Sequence, residues 1–310
     1  SYTEDMRIRW EATQHLRYYD GAATITRAQV SNNGLFFLAS VKYYRNPTKH
    51  FAFTQYKMIE LPEPKKEEVE FEPMFVKLSA NGQSIVTSAP YYNNAKDAEN
   101  NPLFKITGVY VATFDLAQEK ITAEKYQQLN SSVFNKFNQE GDYNVKNLWR
   151  VYYRVNDIAI APNGNVGVML DRVYYMYYTA MGTYTLTPDY NTHEQPTEKV
   201  IFDFSSNYEK KQYAVCPITV RGMNNPYYIN KMHYLNGNLV TVYYNPDDKK
   251  HHLYAFVLSK SGSTENLMLI NDPELDVMNW YFFELRIREN ALIIGGASGY
   301  NRKLGILKVD

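Results

Sequence analysis

A chain of 310 residues, 45% of them hydrophobic, is long enough to bury a substantial core as one large β-domain or two ordinary domains. Lys+Arg equals Asp+Glu at 33 each, and this zero net charge argues against nucleic acid as a partner, because its binders carry a basic excess or stripe. The one cysteine, Cys216, excludes an internal disulfide framework and a cysteine-based metal site, and no stretch approaches the roughly 18 continuous apolar residues of a membrane-spanning helix.

The chain opens on "DMRIRWEATQHL" from Asp5, a strand-like piece with no turn partner before it. Then a unit begins that recurs about five times. In the first, "TITRAQVS" runs into Asn33-Gly34, "LFFLASV" follows, and the pair Tyr43-Tyr44 closes the second run. Asn-Gly between two such runs predicts a hairpin with a type I′ turn, since both central residues need positive φ. "FAFTQYKMIEL" from Phe51 supplies a third strand and "EVEFEP" from Glu68 a short fourth; the surrounding "PEPKKEEVEFEP" from Pro62 reads as a solvated charged turn.

The second unit places "MFVKLSA", Asn81-Gly82, "QSIVTSA" and Tyr91-Tyr92 in the same order, then "GVYVATFDLAQEK" from Gly108. Beyond it, Tyr126, Leu129, Val133 and Phe137 recur at helical spacing, so residues 122–149 read as a helix or as an outer strand and a long loop. The third unit runs "VNDIAIAP", Asn163-Gly164, "NVGVML", Tyr174-Tyr175 and "KVIFDFS"; residues 206–227 leave room for a degenerate extra strand pair. The fourth is "YINKMHYL", Asn236-Gly237, "NLVTVYY" ending on Tyr243-Tyr244, "LYAFVLSKSG" and "NLMLIND". The fifth is "YFFELRIR", a worn turn at Asn290-Ala291, "ALIIGGA", a single Tyr300 and "LGILKVD".

Four antiparallel strands repeated about five times predict an all-β, five-bladed β-propeller in one domain, with six blades as the alternative count. The blades fall at roughly 20–70, 71–150, 151–205, 226–275 and 278–310, and the N-terminal residues 5–17 are expected to join the C-terminal blade and close the ring. The repeated turn and strand pattern resembles divergent propeller blades of the broad superfamily that includes WD40-like and TolB-like repeats. The chain departs from the named blade signatures, with no Trp-Asp dipeptide, no sialidase-type Asp box and no kelch double glycine, so the resemblance implies architecture and no particular activity.

The tyrosine pairs are expected to gather on one rim, which makes Tyr43, Tyr91, Tyr92, Tyr174, Tyr175, Tyr243 and Tyr300 candidate ligand-binding residues. Seven residues before each turn glycine, or its equivalent Ala291, stand Arg27, Phe75, Asp157, Asn230 and Glu284. This polar phase adds Arg27 and Asn230 to the binding set, with Asp157 and Glu284 as an acidic pair at the channel mouth. The leading expectation is a non-catalytic binding or interaction module for a glycan or a protein. The alternative is a carbohydrate-active hydrolase or lyase using Asp157 and Glu284.

No cofactor is expected, because phosphate loops and dinucleotide fingerprints are absent. No metal is expected either: in "NPDDKKHH", Asp247, Asp248, His251 and His252 surround two lysines that oppose a cation. A Tyr- and Asn-rich, nearly Cys-free composition is similar to that of cell-envelope or secreted proteins, which points to an extracytoplasmic location. The start at Ser1 reads as a processed chain.

Overall fold

The computed structural model describes residues 11, 23–31, 34–43, 48–79, 81–93, 106–129, 150–177, 192–216, 231–244, 253–270, 281–288, 290–298 and 301–308. Among them the chain is all-β, built from antiparallel sheets that are mostly four-stranded, as expected for repeated blades. No helix among these residues is long and apolar enough to cross a membrane. The chain divides into two compact units, Ser1–Gln128 and Leu129–Asp310. The clasp expected of residues 5–17 involves residues outside the described set, apart from Glu11.

The first unit holds two sheets. β1 (Ala23–Val30), β2 (Phe37–Tyr43), β3 (Lys49–Phe53) and β4 (Met58–Glu60) form a meander. Alternate residues point to opposite faces. Ala39, Val41, Tyr43 and Phe51 pack on one side, against Phe37, Phe53 and Met58. Leu38, Ala52, Ile59 and Leu61 pack on the other, against Val76, Leu78, Ile85, Phe114 and Leu116 of the second sheet. Covering both faces is why "LFFLASV" and "FAF" read as apolar runs rather than as an alternation.

The second sheet contains β5 (Val69–Phe71), β6 (Phe75–Leu78), β7 (Ser84–Asn93), β8 (Ile106–Asp115) and β9 (Lys120–Gln128). β5 and β6 lie end to end along β7 as one interrupted inner strand, with Phe71 opposite Tyr91 and Phe75 opposite Ser88. The interruption has a chemical cause. The Glu72 N–H donates to the Pro90 carbonyl at 3.0 Å, but Pro90 has no N–H to return and Pro73 has none either. "EVEFEP" therefore belongs to the inner strand of the second sheet and is not the outer strand of the first. That outer strand is β4, reached through a turn in which the Thr54 N–H donates to the Lys57 carbonyl at 2.9 Å. No helix forms at Tyr126, which lies on β9 paired with β8. The two-residue alternation of Ile121 and Ala123 against exposed Thr122 and Glu124 overrides the helical spacing there. Val133 and Phe137 lie outside the described residues.

In the second unit, β10 (Arg150–Ile160), β11 (Val166–Tyr177), β12 (Thr192–Phe204) and β13 (Lys210–Cys216) form one sheet. "KVIFDFS" is thus the end of its third strand, and β13 is its fourth. The stretch that left room for an extra strand pair supplies that fourth strand; residues 217–230 lie outside the described set. β14 (Met232–Leu235), β15 (Asn238–Tyr244), β16 (Leu253–Leu258) and β17 (Thr264–Ile270) follow, then a three-stranded sheet of β18 (Tyr281–Arg288), β19 (Ala291–Ser298) and β20 (Asn301–Lys308). Met169, Ile201, Ala214 and Cys216 of the first of these sheets pack on Met232, Tyr234, Leu239 and Phe256 of the next. The far face of that sheet, with Val240, Val242, Ala255 and Val257, meets Leu292 and Leu307 of the last.

Among the Asn-Gly turns whose two residues are both described, only Asn236-Gly237 is the two-residue turn expected, with φ of 49° and 80° and Leu235 paired directly with Asn238. At Asn81 and Asn163 only the glycine is left-handed, with φ of 68° at Gly82 and 85° at Gly164. There the glycine N–H closes a longer loop, from Gly82 to the Ser79 carbonyl (2.9 Å) and from Gly164 to the Ala161 carbonyl (3.0 Å). The Asn side chain accepts from the backbone two residues on, Asn81 from Gln83 (3.0 Å) and Asn163 from Asn165 (3.1 Å). These are three- and four-residue hairpin loops that each depend on one left-handed glycine.

Side chains also tie neighbouring sheets together. The Gln29 amide on β1 donates to the Val76 carbonyl at 3.0 Å and accepts from the Leu78 N–H at 3.1 Å, standing in for a strand along β6. In the second unit the Asp157 carboxylate accepts the Met232 N–H at 2.8 Å. Close approach governs Gly108: a Cβ there would lie 2.2 Å from the Tyr91 ring and 2.5 Å from the Gln127 carbonyl. Gly108→Ala is expected to cost about 1–3 kcal/mol by overpacking in urea denaturation, while Thr122→Ala on the exposed face of β9 stays within about 0.5 kcal/mol of wild type.

Candidate functional site

The rim tyrosines whose side chains are described do not face a ligand. Tyr43 is 4% exposed, Tyr91 2%, Tyr92 9% and Tyr243 2%. They end strands whose two faces are both covered, and a buried tyrosine removes some 150–250 Å² of surface from water, so packing claims them. Tyr43 belongs to the Phe51 cluster. Tyr243 stacks on Tyr254 at 5.5 Å and donates to Asn266 Oδ1 at 2.9 Å; burial, chiefly, pushes its hydroxyl up to about 12. The backbones of Tyr174 and Tyr175 lie on β11 opposite Gln195 and Glu194. Their side chains, and the whole of Tyr300 and Asn230, lie outside the described residues.

The polar phase also finds internal partners. Arg27 is exposed, with its guanidinium carbon 3.7 Å from the centroid of the Phe75 ring. Arg27 thus contacts the residue at the equivalent position of the next unit. Asp157 is buried, and its carboxylate holds the Met232 N–H as described above. It acts as a clip between sheets and does not present a free acid to a pocket. Glu284 lies on β18 opposite Ile294; its side chain lies outside the described residues.

Sequence reasoning missed a row of charges across the second unit. Arg154, Asp171, Lys199 and Cys216 are direct partners on four successive strands. Lys199 Nζ donates to Asp171 Oδ1 at 2.6 Å with both side chains buried, and Arg154 Nε lies 3.8 Å from Asp171 Oδ2. Nearby, buried Asp203 accepts from the Tyr234 hydroxyl (2.6 Å) and the Gln212 amide (3.1 Å), with Lys211 Nζ at 3.4 Å. Burial, with the Asp203 charge behind it, pushes the Tyr234 hydroxyl far up, and burial also pushes the Cys216 thiol up, leaving no nucleophile there. Charged residues inside strands look like a solvent-facing phase in the sequence, so nothing there marked them as interior. Lys199→Met removes the buried partner of Asp171, leaves only the half-buried Arg154 near it, and is expected to cost about 3–5 kcal/mol. Lys199→Met with Asp171→Leu should recover most of that loss in the same denaturation assay.

One hydroxyl–imidazole contact has the distance of a nucleophile and base. Ser40 Oγ lies 2.8 Å from His50 Nδ1, on paired positions of β2 and β3. Both residues are buried. Burial lowers the His50 pKa to about 4; a Met74 backbone hydrogen bond opposes this and the Arg27 charge adds to it. The ring is therefore a neutral core group. Its native pKa lies below the ordinary 6.5, so the unfolded chain takes up the proton first as pH falls. Stability is full above pH 6.5 and declines towards pH 4, by up to roughly 3 kcal/mol from this group. Denaturation of wild type against His50→Gln across that range should show the slope in the wild type and its loss in the variant.

The surface feature that combines shape with chemistry lies in the first unit. A depression of about 460 Å³ is lined by Pro64, Lys65, Lys66, Glu67, Val69 and Phe71. Beneath it Phe71, Tyr91, Tyr110 and Tyr126 form a four-ring cluster with centroid distances of 4.9–6.2 Å. The ring of Tyr91 rests on Gly108. The Tyr126 hydroxyl donates to the Lys65 carbonyl at 3.2 Å and pins the strap of residues 62–68 across the cluster. Lys66 Nζ sits 4.9 Å from the Tyr126 ring centroid and 5.8 Å from that of Tyr91. Burial raises the pKa of both phenols, so they remain neutral donors. Of this site only Tyr91 was expected. The usable signal was an aromatic residue on each of four sheet segments. Among the described residues no group of His, Cys, Asp and Glu is arranged to hold a metal; Asp247, Asp248, His251 and His252 lie outside them.

No protein-family model and no curated protein matches the chain. Among solved structures, a polysaccharide lyase superposes with a TM-score of 0.47 at 8% identity, over 91% of this chain and 57% of the lyase. A GH43 β-1,3-galactosidase does so with 0.36 at 8% identity, over 92% and 94%. The catalytic domain of a GH62 α-L-arabinofuranosidase from Coprinopsis cinerea gives 0.36 at 10% identity, over 92% and 90%. The chain spans little more than half the length of the lyase, and 34% of a prolyl endopeptidase that it also resembles. At these values each is a likeness, and no family follows from it.

Proposed function

We propose that this chain is a non-catalytic binding module on propeller-type blades, working outside the cytoplasm, and that its ligand is a glycan seated in the depression beside Phe71. The observation that carries the reading is the strap of residues 62–68, which holds the Lys66 ammonium over a cluster of aromatic rings beside an apolar floor. Sugars are recognised by that combination: a ring face or apolar patch for the C–H side of the pyranose, and fixed polar groups for its hydroxyls.

A hydrolase or lyase with Asp157 and Glu284 as its acidic pair is the second reading. The Asp157 bond to the Met232 N–H weighs against it, because an acid–base pair needs carboxylates that face substrate. The experiment is a glycan array with the purified chain, read for retention and for product release. Retention without turnover, reduced about 10-fold or more by Phe71→Leu, is the expected result. Product release abolished by Asp157→Asn would replace this reading with the enzyme, and silence on every glycan would shift it to a protein partner.

A further inference from the structure

We infer that the depression beside Phe71 takes an anionic sugar, one bearing a carboxylate or a sulfate ester; this rests on the binding reading above and names its ligand class. The lining holds two cations, Lys65 and Lys66, against one carboxylate, Glu67. Among the described residues neither lysine has a carboxylate partner. Two of the nearby acids are already engaged. Glu63 on the strap pairs with Lys49 Nζ at 2.8 Å, and Glu124 accepts the Tyr110 hydroxyl at 3.3 Å.

The lysines are also held in place. Pro62 and Pro64 fix φ on one side of them, and the Tyr126 hydroxyl fixes the Lys65 carbonyl. The Lys66 ammonium rests on the Tyr126 and Tyr91 ring faces, which attract it without using up its hydrogen-bond donors in the way a carboxylate would. An ammonium so placed, with an unspent donor over a recess, favours an anion through charge-assisted hydrogen bonds. Phe71, Val69 and Pro64 supply the apolar surface for the ring that carries that anion.

The test is calorimetric titration of the full chain with four tetrasaccharides: an oligogalacturonide, its methyl ester, a sulfated galactan and a neutral galactan. The expected result is that one or both anionic probes bind at least about 10-fold more tightly than the two neutral ones, with affinity falling as salt rises. Which of the two wins distinguishes carboxylate from sulfate. Lys65→Ala with Lys66→Ala, both exposed positions, should erase the preference by weakening the anionic probes at least about 10-fold more than the neutral ones, and Glu67→Gln should strengthen anion binding. Equal binding of all four, unaltered by the lysine changes but weakened by Phe71→Leu, would overturn the anionic ligand and leave the depression as the site. Binding that ignores both the lysine changes and Phe71→Leu, or no binding of any probe, would overturn both.

Discussion

Sheets whose middle strands are apolar on both faces must be covered on both sides, and this requirement organises the molecule. Leu38 and Ala39 point in opposite directions from one strand and both are about 1% exposed. A chain built from such strands can satisfy them only by laying one sheet against the next, as the Leu38 and Val240 clusters do within their respective units. Neighbouring sheets share no backbone ladder, so side chains bridge them. Gln29 supplies a donor and an acceptor to β6, and Asp157 an acceptor to β14. These polar groups look like ligand contacts in the sequence because a bridging side chain and a binding side chain need the same chemistry.

That ambiguity sets how much was legible beforehand. The all-β class and most strand pairings followed from turn residues and apolar runs, since both act over a few residues. The turn type did not: "NG" requires one left-handed residue, and whether Asn joins it depends on loop length, as Asn81 and Asn236 show. Only the first segment of the inner strand of the second sheet, β5, was misplaced, because its separation from β6 depends on Pro90, a residue on the partner strand. The tyrosine pairs were read as a rim because they end strands. Whether a strand end is open or covered is a tertiary property, and at Tyr43, Tyr91, Tyr92 and Tyr243 it is covered.

The candidate site has the same origin. Tyr91 is legible as an aromatic strand terminus, but its cluster needs Phe71, Tyr110 and Tyr126 from three other strands, and its outer wall comes from a stretch whose charges suggested only solvation. Those charges sort by partner. Glu63 is drawn off to Lys49, while Lys66 is drawn onto rings. In the second unit the buried acids are drawn inward: Asp203 accepts from Tyr234 and Gln212, and Asp171 pairs with buried Lys199.

The central claim is that the aromatic depression beneath the strap of residues 62–68 is where a ligand sits. A crystal structure of the chain soaked with the glycan it retains most strongly tests this directly. The account predicts a sugar ring packed on Phe71 within hydrogen-bonding reach of Lys66, with Asp157 still bonded to the Met232 N–H. A sugar bound instead against a freed Asp157 carboxylate, with the depression empty, would contradict it.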